Sequence, residues 1–365
     1  MTQRTMRAVV VSGPGDYRVE TVPMPDVPAD GLLLKVLACG LCGSDLRTLR
    51  SGHHRVTFPF TIGHEICARV EATGSGYRGE WQKGDVVAIA PLVFCGSCDF
   101  CREGRRELCE QYREIGQHWQ GGLAQYLPLT REVLDKGIIL KVPRGMDPVV
   151  AAVAEPVSSC VHAQEKGRIG AKDVVVIIGS GPIGCIHAAL ARSAGVQQVI
   201  VADVNNQRLQ MAHPFGVDVC IDTSVLSLED EIRRITGGRG ADVVITANPV
   251  AGTQVQAVEI ARKGGRVLLF GGVPPRDERP GINTNLIHYN ALEVIGTTIF
   301  NPGHFQKAMD LLAAGAVPIE HFITHRYPLE DFVTGARDAL DGKTIKTVFE
   351  PWPRGNESQS QEEQA

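Results

Sequence analysis

The stretch Asp173-Val174-Val175-Val176-Ile177-Ile178-Gly179-Ser180-Gly181-Pro182-Ile183-Gly184 constrains this chain more than any other. A run of β-branched residues feeds straight into Gly-x-Gly-x-x-Gly, and a helical pattern follows. A strand buried on both faces of a parallel sheet reads this way. The three glycines serve different ends: a tight turn, close backbone approach to a pyrophosphate, and close helix–strand packing. The helix that opens at Pro182 offers free N–H groups and the positive end of its dipole to phosphates. A glycine pattern alone is weak evidence; the strand before it and the helix after it make it a dinucleotide cradle built from Gly179, Gly181, Pro182, Ile183 and Gly184.

Strands alternate with helices from there on. Apolar runs at 198–202, 219–222, 242–246, 265–271 and 293–296 are separated by helical patterns at 204–215, 229–236 and 252–262. That series predicts an α/β domain with a doubly wound parallel sheet over 155–297. Residues 1–154 have another texture. Short apolar runs at 6–11, 32–37 and 86–89 are broken by Gly- and Pro-rich turns, as in an irregular β-rich domain. An Ala- and Val-rich helical stretch at 149–163 is interrupted at Glu155-Pro156. Residues 298–350, with helices at 303–314 and 332–340 and a strand at 346–349, are expected to return to the first domain. Residues 351–365 are polar and simple, and are expected to be disordered.

With 365 residues the chain is long enough for two domains. A net charge of −4 speaks against a nucleic-acid or membrane-surface partner. Residues 1–11 lack an apolar core behind a basic start, and no apolar run reaches the length of a membrane span, so a cytoplasmic protein is expected. Ten cysteines in such a chain point to metal binding or catalysis rather than to disulfides.

Three groups carry chemistry. Asp203 ends the second strand, 19 residues after Gly184. A carboxylate there accepts from ribose hydroxyls and repels a 2′-phosphate, and Val204-Asn205-Asn206 offers no cation, so NAD is expected rather than NADP. Arg208 either stacks on adenine or stays solvated. Cys95, Cys98, Cys101 and Cys109 fall within fifteen residues, at spacings suited to a closed tetrahedral zinc, with the lobe spanning about 93–112. Such a zinc is structural, since four thiolates leave no open position. Finally, Cys42-Gly43-Ser44-Asp45, Gly63-His64-Glu65 and Glu155-Pro156 supply thiolate, imidazole and carboxylate. These mixed donors suit a catalytic zinc with an open position.

In these motifs, and in Gly121-Gly122-x-Ala124-x-Tyr126, the chain resembles the zinc-dependent medium-chain alcohol dehydrogenases over about residues 6–350. It looks most like the polyol (sorbitol-type) and threonine dehydrogenase branch, which has Glu where Glu155 stands. The resemblance implies a Rossmann cofactor domain plus a discontinuous GroES-like catalytic domain. It also implies an NAD-linked oxidation of a secondary alcohol of a polyol to the ketose. Cys42, His64 and either Glu65 or Glu155 would hold the catalytic zinc. Ser44 would accept the substrate proton, and Asp45 would orient His64. A homotetramer is implied, with a dimer as the smaller alternative, through the edge strand near 293–298.

Two positions depart from that pattern. Arg47 stands where many relatives have a relay histidine, leaving His53 and His54 as nearby candidates. Ile299-Phe300 stands where sorbitol-type enzymes carry Arg-Tyr, and removes a cation from the expected polyol site. Arg113, His118 and Trp119 are candidate pocket residues. A threonine-type substrate, or a polyol phosphate contacted by Arg47, Arg113 and His304, are alternatives with the same chemistry. A non-catalytic NAD-binding sensor is the alternative of another class.

Overall fold

The computed structural model describes residues 4–352, which pack as two compact units. The first comprises the described part of Met1–Glu155 together with that of Ile323–Ala365. Its main sheet has seven strands. Six run in the order His325–Pro328, Thr347–Glu350, Leu32–Gly40, Glu65–Thr73, Val86–Ala90, Ile138–Lys141; Tyr126–Leu129 also pairs with Leu32–Gly40. The hairpin Thr5–Gly13/Asp16–Pro23 lies apart from this sheet. All sheet pairings are antiparallel except the one between His325–Pro328 and Thr347–Glu350. The core is built from Leu34, Val36, Ile66, Ala68, Ile89 and Leu127. Each large side chain among them contributes roughly 1.5–3 kcal/mol through burial. Helix Phe332–Leu340 closes one end. Gly335 permits this, because a Cβ there would lie 2.7 Å from the Phe349 ring.

The second unit is Pro156–Phe322. Its six-stranded sheet is wholly parallel, in the order Val219–Asp222, Gln198–Asp203, Val174–Ile178, Ala241–Thr246, Ala261–Leu269, Glu293–Gly296. Strand Val174–Ile178 is buried along its whole length, as its β-branched run requires. The order reverses direction between that strand and Ala241–Thr246, the switch point where such sheets bind ligands. At the opposite, N-terminal ends of the strands, two buried carboxylates do structural work. Asp173 pairs with Arg266, and Asp242 accepts from the Val174 N–H (2.9 Å) and pairs with Arg239 and Arg262.

The α/β domain and the β-rich domain expected from the sequence are both present. The segmentation differs in detail. The interruption in the 149–163 helical stretch falls at Val153, between helices Pro148–Ala152 and Ala154–Lys166. Pro156 lies in the first turn of the second helix, where its missing N–H costs nothing. Glu155 packs with the first unit. Residues 298–322 pack with the second unit rather than returning at 298. Phe322 lies against Phe215, and Lys307 pairs with Glu165. The first unit resumes at Ile323. Of the tail expected to be disordered, Pro351 and Trp352 are held. Trp352 donates to the Val36 carbonyl (2.9 Å) and lies under the Lys35 ammonium. Residues 353–365 lie outside the described residues. Among the described residues, no helix is long and apolar enough to cross a membrane.

His187, on helix Pro182–Ser193, is fully buried beside Gln164 and edge-on to Phe270. Burial pushes its pKa from 6.5 down to about 3. The unfolded chain therefore takes up a proton before the folded one does. Stability is intact above the ordinary histidine value and is lost as pH falls below it, by ~2 kcal/mol at about pH 5. Urea unfolding at neutral and at mildly acid pH is expected to show a smaller acid loss in His187→Leu than in wild type; equal losses would contradict this.

Candidate metal centre and cofactor cradle

Strand Leu32–Gly40 runs into Leu41 and Cys42, and Cys42 caps helix Gly43–Ser51. Asp45, in the first turn, accepts the Cys42 backbone N–H at 3.0 Å, which fixes the thiol at the strand–helix corner. His64 directly precedes the neighbouring strand, which Glu65 opens directly opposite Gly40. That glycine makes room for the carboxylate: a Cβ on Gly40 would lie 1.9 Å from Glu65 Oε2. Gly63, at φ +103°, sets the corner before His64. As a result the Cys42 thiol, a His64 ring nitrogen and a Glu65 carboxylate oxygen all lie within 4.8 Å of one another.

The surroundings orient these donors. Asp45 Oδ1 lies 3.3 Å from His64 Nδ1 and leaves Nε2 to serve as a ligand. Burial alone would raise the Asp45 carboxyl, but the His64 imidazole and the Cys42 N–H hold it below its ordinary value. Lys346 is buried with Glu65, pairs with its Oε1, and donates to the Leu41 carbonyl at 3.0 Å. Glu65 Oε2 is buried with no hydrogen-bond partner. Soft thiolate, oriented imidazole and an orphaned carboxylate oxygen fit a zinc ion. Glu155 is outside the 4.8 Å set. Burial and the Glu65 charge outweigh the attraction of His64 and push its carboxyl up to about 7, so it is a neighbouring second carboxylate. Ser44 lies on the first turn of the helix, two residues past Cys42, and Arg47 is exposed on the same helix.

Lys346 holds an otherwise uncompensated buried charge. Lys346→Met is expected to destabilise the chain by ~3–5 kcal/mol. Adding Glu65→Gln should recover part of that loss, since the carboxylate goes too. Chemical unfolding of the single and double variants checks both statements; additive losses would contradict the pairing.

The second donor group is equally compact. The sulfurs of Cys95, Cys98, Cys101 and Cys109 lie within 4.8 Å of one another. N–H groups of Ser97 (3.4 Å) and Cys98 (3.3 Å) point at Cys95 Sγ and lower its pKa to about 6. Burial raises Cys101 to about 12. One thiol is thus prepared by the backbone, and the others would lose their protons to a metal held there.

In the second unit Gly179 adopts φ +113°, with Ala247 O only 3.0 Å from where a Cβ would sit. A Cβ on Gly184 would lie 1.9 Å from Gly179 O, so helix and loop touch there. Gly181, the N-cap residue of helix Pro182–Ser193, faces open space: a Cβ on it would meet nothing within 4 Å. That is the room a pyrophosphate needs at a helix N-terminus. Asp203 Oδ2 accepts from the Ser180 N–H (2.7 Å) and hydroxyl (2.8 Å), and Oδ1 accepts from the Asn205 N–H (2.9 Å). The acidic group is therefore tied to the glycine loop itself. Arg208 follows on helix Asn206–Ala212.

Other candidates found different places. Phe300 is fully buried and stacks on Phe305, so it is a core residue. Ile299 sits at φ +37° with its carbonyl accepting from His162 Nδ1 (2.8 Å). His304 is engaged by the Asn301 N–H and by Glu165. Arg113 pairs with Glu132 and covers the Trp119 ring, and His118 Nδ1 accepts the Glu114 N–H at 3.1 Å. Lys346, Glu114 and Arg55 escaped the sequence reading. Lys346 lies 281 positions from Glu65, and no local pattern announces such a partner.

A family model described as "Alcohol dehydrogenase GroES-like domain" matches residues 28–143, and one described as "Zinc-binding dehydrogenase" matches 182–314. The chain is 32% identical over 357 residues to the sorbitol dehydrogenase of Bacillus subtilis, covering 95% of this chain and 98% of that one. It is 30% identical over 354 residues to the D-arabitol-phosphate dehydrogenase of Enterococcus avium, covering 96% and 99%. A candidate zinc-binding dehydrogenase from Sinorhizobium meliloti 1021, solved with NADP bound, superposes with a TM-score of 0.86 at 33% identity, covering 96% of this chain and 100% of that one.

Proposed function

Because the chain belongs to the zinc-dependent medium-chain alcohol dehydrogenases, in the polyol and threonine dehydrogenase branch, we propose that it oxidises a secondary alcohol of a sugar alcohol to the ketose, with NAD as acceptor. The observation that carries this reading is the set Cys42, His64 and Glu65, with Asp45 on the far nitrogen of the imidazole. Held there, zinc supplies Lewis acidity to an alcohol oxygen and lowers the pKa of its hydroxyl. A nicotinamide held at the glycine cradle would supply the hydride acceptor, the balance being R₂CHOH and NAD⁺ to R₂CO, NADH and a proton.

The chain's own residues do the rest. Asp45 keeps His64 in the tautomer that presents Nε2. Lys346 balances Glu65, so that a buried carboxylate persists beside a thiolate. Ser44 is proposed to take the alcohol proton and pass it to solvent; Arg47 stays charged and does not accept it. Glu65 is assigned as the direct carboxylate ligand and Glu155 as the outer one.

Asp203 supports NAD over NADP, since a 2′-phosphate would face its carboxylate. Arg208 is assigned to the adenosine side of that cofactor. Cys95, Cys98, Cys101 and Cys109 are assigned a second, structural zinc, giving two per chain. The edge strand Glu293–Gly296, with Val294 exposed, supports pairing between copies and a homotetramer. The ten free cysteines support a cytoplasmic setting. The test is a steady-state screen of polyols and L-threonine with NAD and with NADP. NAD-linked activity on at least one polyol is expected; activity on threonine alone, or with NADP alone, would overturn the respective part.

A further inference from the structure

Cations gather beside the donor set within the first unit. Helix Gly43–Ser51, which starts at Cys42, carries Arg47 and leads into His53, His54 and Arg55. The turn after strand Arg113–Glu114 packs on the other ligand. A Cβ on Gly116 would lie 3.0 Å from the Gly63 carbonyl and 3.4 Å from His64 Cβ. That turn carries Gln117, His118 and Trp119. The two segments meet at Arg55, which donates to the Tyr112 hydroxyl (3.2 Å), lies over its ring at 5.0 Å, and approaches Glu114 at 4.0 Å. The His53 and His54 rings lie 4.6 Å apart, and His53 Nδ1 accepts the Arg55 N–H at 3.3 Å.

This is a crowded set of like charges. Burial lowers His53, and the charges of His54, Arg55, Arg47 and His118 lower it further. Burial, then Arg55 and Arg113, lower His118 in the same way. Glu114 faces Arg55 at 4.0 Å; burial raises its carboxyl, while His64, Arg55 and a Gln117 hydrogen bond act the other way. The Tyr112 and Glu114 contacts both use Arg55 Nη1, and neither engages the Nε/Nη2 edge of the guanidinium. Gln117 Oε1, in the same turn, is a buried acceptor with no partner, suited to a hydroxyl donor.

We infer that Arg55, with His53, His118 and Arg47 around it, forms an anion subsite, and that the alcohol oxidised at the donor set is a phosphorylated polyol. The phosphate monoester meets the Arg55 fork, and a chain hydroxyl meets Gln117. This inference rests on the alcohol-oxidising reading of Cys42, His64 and Glu65 and narrows it to one substrate class. Of the cations expected from the sequence, Arg47 stays in the set, Arg113 is taken by Glu132 and His304 by Glu165, and Arg55 provides the fork.

The test uses matched pairs: tetritols, pentitols and hexitols, each with its terminal phosphate monoester, and inorganic phosphate as competitor. For at least one pair, kcat/KM of the ester should exceed that of the parent on the order of a hundredfold, mainly through KM. Arg55→Gln should shrink that ratio by roughly tenfold or more, His118→Asn should shrink it less, and the remote Arg78→Gln should leave it unchanged. Calorimetric binding of the esters to the zinc-loaded chain separates the two readings. Arg55-dependent binding without turnover upholds the subsite and sinks the alcohol-oxidising reading. Turnover of the parent polyols with no ester preference, or equal losses on both members in Arg55→Gln, overturns the subsite and leaves alcohol oxidation standing.

Discussion

Cys42→Ala is expected to lower NAD-linked alcohol oxidation by roughly a thousandfold or more while NAD affinity stays within about twofold. The thiolate is the soft ligand of the mixed donor set, and His64 and Glu65 alone leave a weaker two-donor site. The glycine cradle and Asp203 belong to the other packing unit, so cofactor binding is the internal control. The thiol side chain is half-buried, and Asp45 holds the corner through the Cys42 backbone N–H, which alanine retains. A folded variant is therefore expected, and its circular dichroism should match wild type. Steady-state rates and NAD titration check this. Undiminished turnover would remove Cys42 from the metal centre, and a wild type inactive on every alcohol would favour the non-catalytic, NAD-binding alternative.

The second large effect concerns stability. Cys98→Ser is expected to remove one zinc per chain and to lower Tm by about 10 °C or more. The segment between Cys95 and Cys109 has little else to hold it. Its two helical pieces, Asp99–Arg102 and Arg106–Leu108, are four and three residues long, and Cys101 and Cys109 are its buried apolar residues. Without the metal, four sulfurs within 4.8 Å of one another lose the charge that organises them. Elemental analysis should find the catalytic zinc retained, and activity at low temperature should fall far less than in Cys42→Ala. An unchanged Tm and an unchanged zinc content would contradict a structural role.

The cradle was legible because its meaning is local. Strand, glycine spacing and helix follow one another over a dozen residues, and the physical demands on Gly179, Gly181 and Gly184 are written into adjacent positions. The cysteine lobe was legible for the same reason. The mixed donor set was legible as a list of residue types, whereas the choice between Glu65 and Glu155 was not. That choice depends on strand register: Glu65 stands opposite Gly40, and the missing side chain there admits its carboxylate. Lys346 was illegible because its role comes from a strand that pairs back after nearly the whole chain has passed. Arg55 was passed over because it lies in the irregular segment 52–59, where no periodicity gives a side chain its direction. The return of the chain to the first unit was read too early for a similar reason. Helix Pro302–Ala313 looks like any amphipathic helix in sequence, and only its contacts, such as Lys307 with Glu165, assign it to the second unit.

The most direct test of a zinc-dependent, NAD-linked alcohol oxidation at Cys42, His64 and Glu65 is NADH formation by the same preparation in three states. These are the zinc-loaded chain, the chain stripped of its labile metal with a mild chelator, and the stripped chain resupplied with zinc or with magnesium. The polyols and their phosphate esters serve as substrates. Activity is expected in the loaded chain, with its loss on stripping while one zinc per chain is retained, and its recovery with zinc but not with magnesium. Undiminished NADH formation by the stripped chain, or none from the loaded chain on any member of the panel, would contradict this expectation.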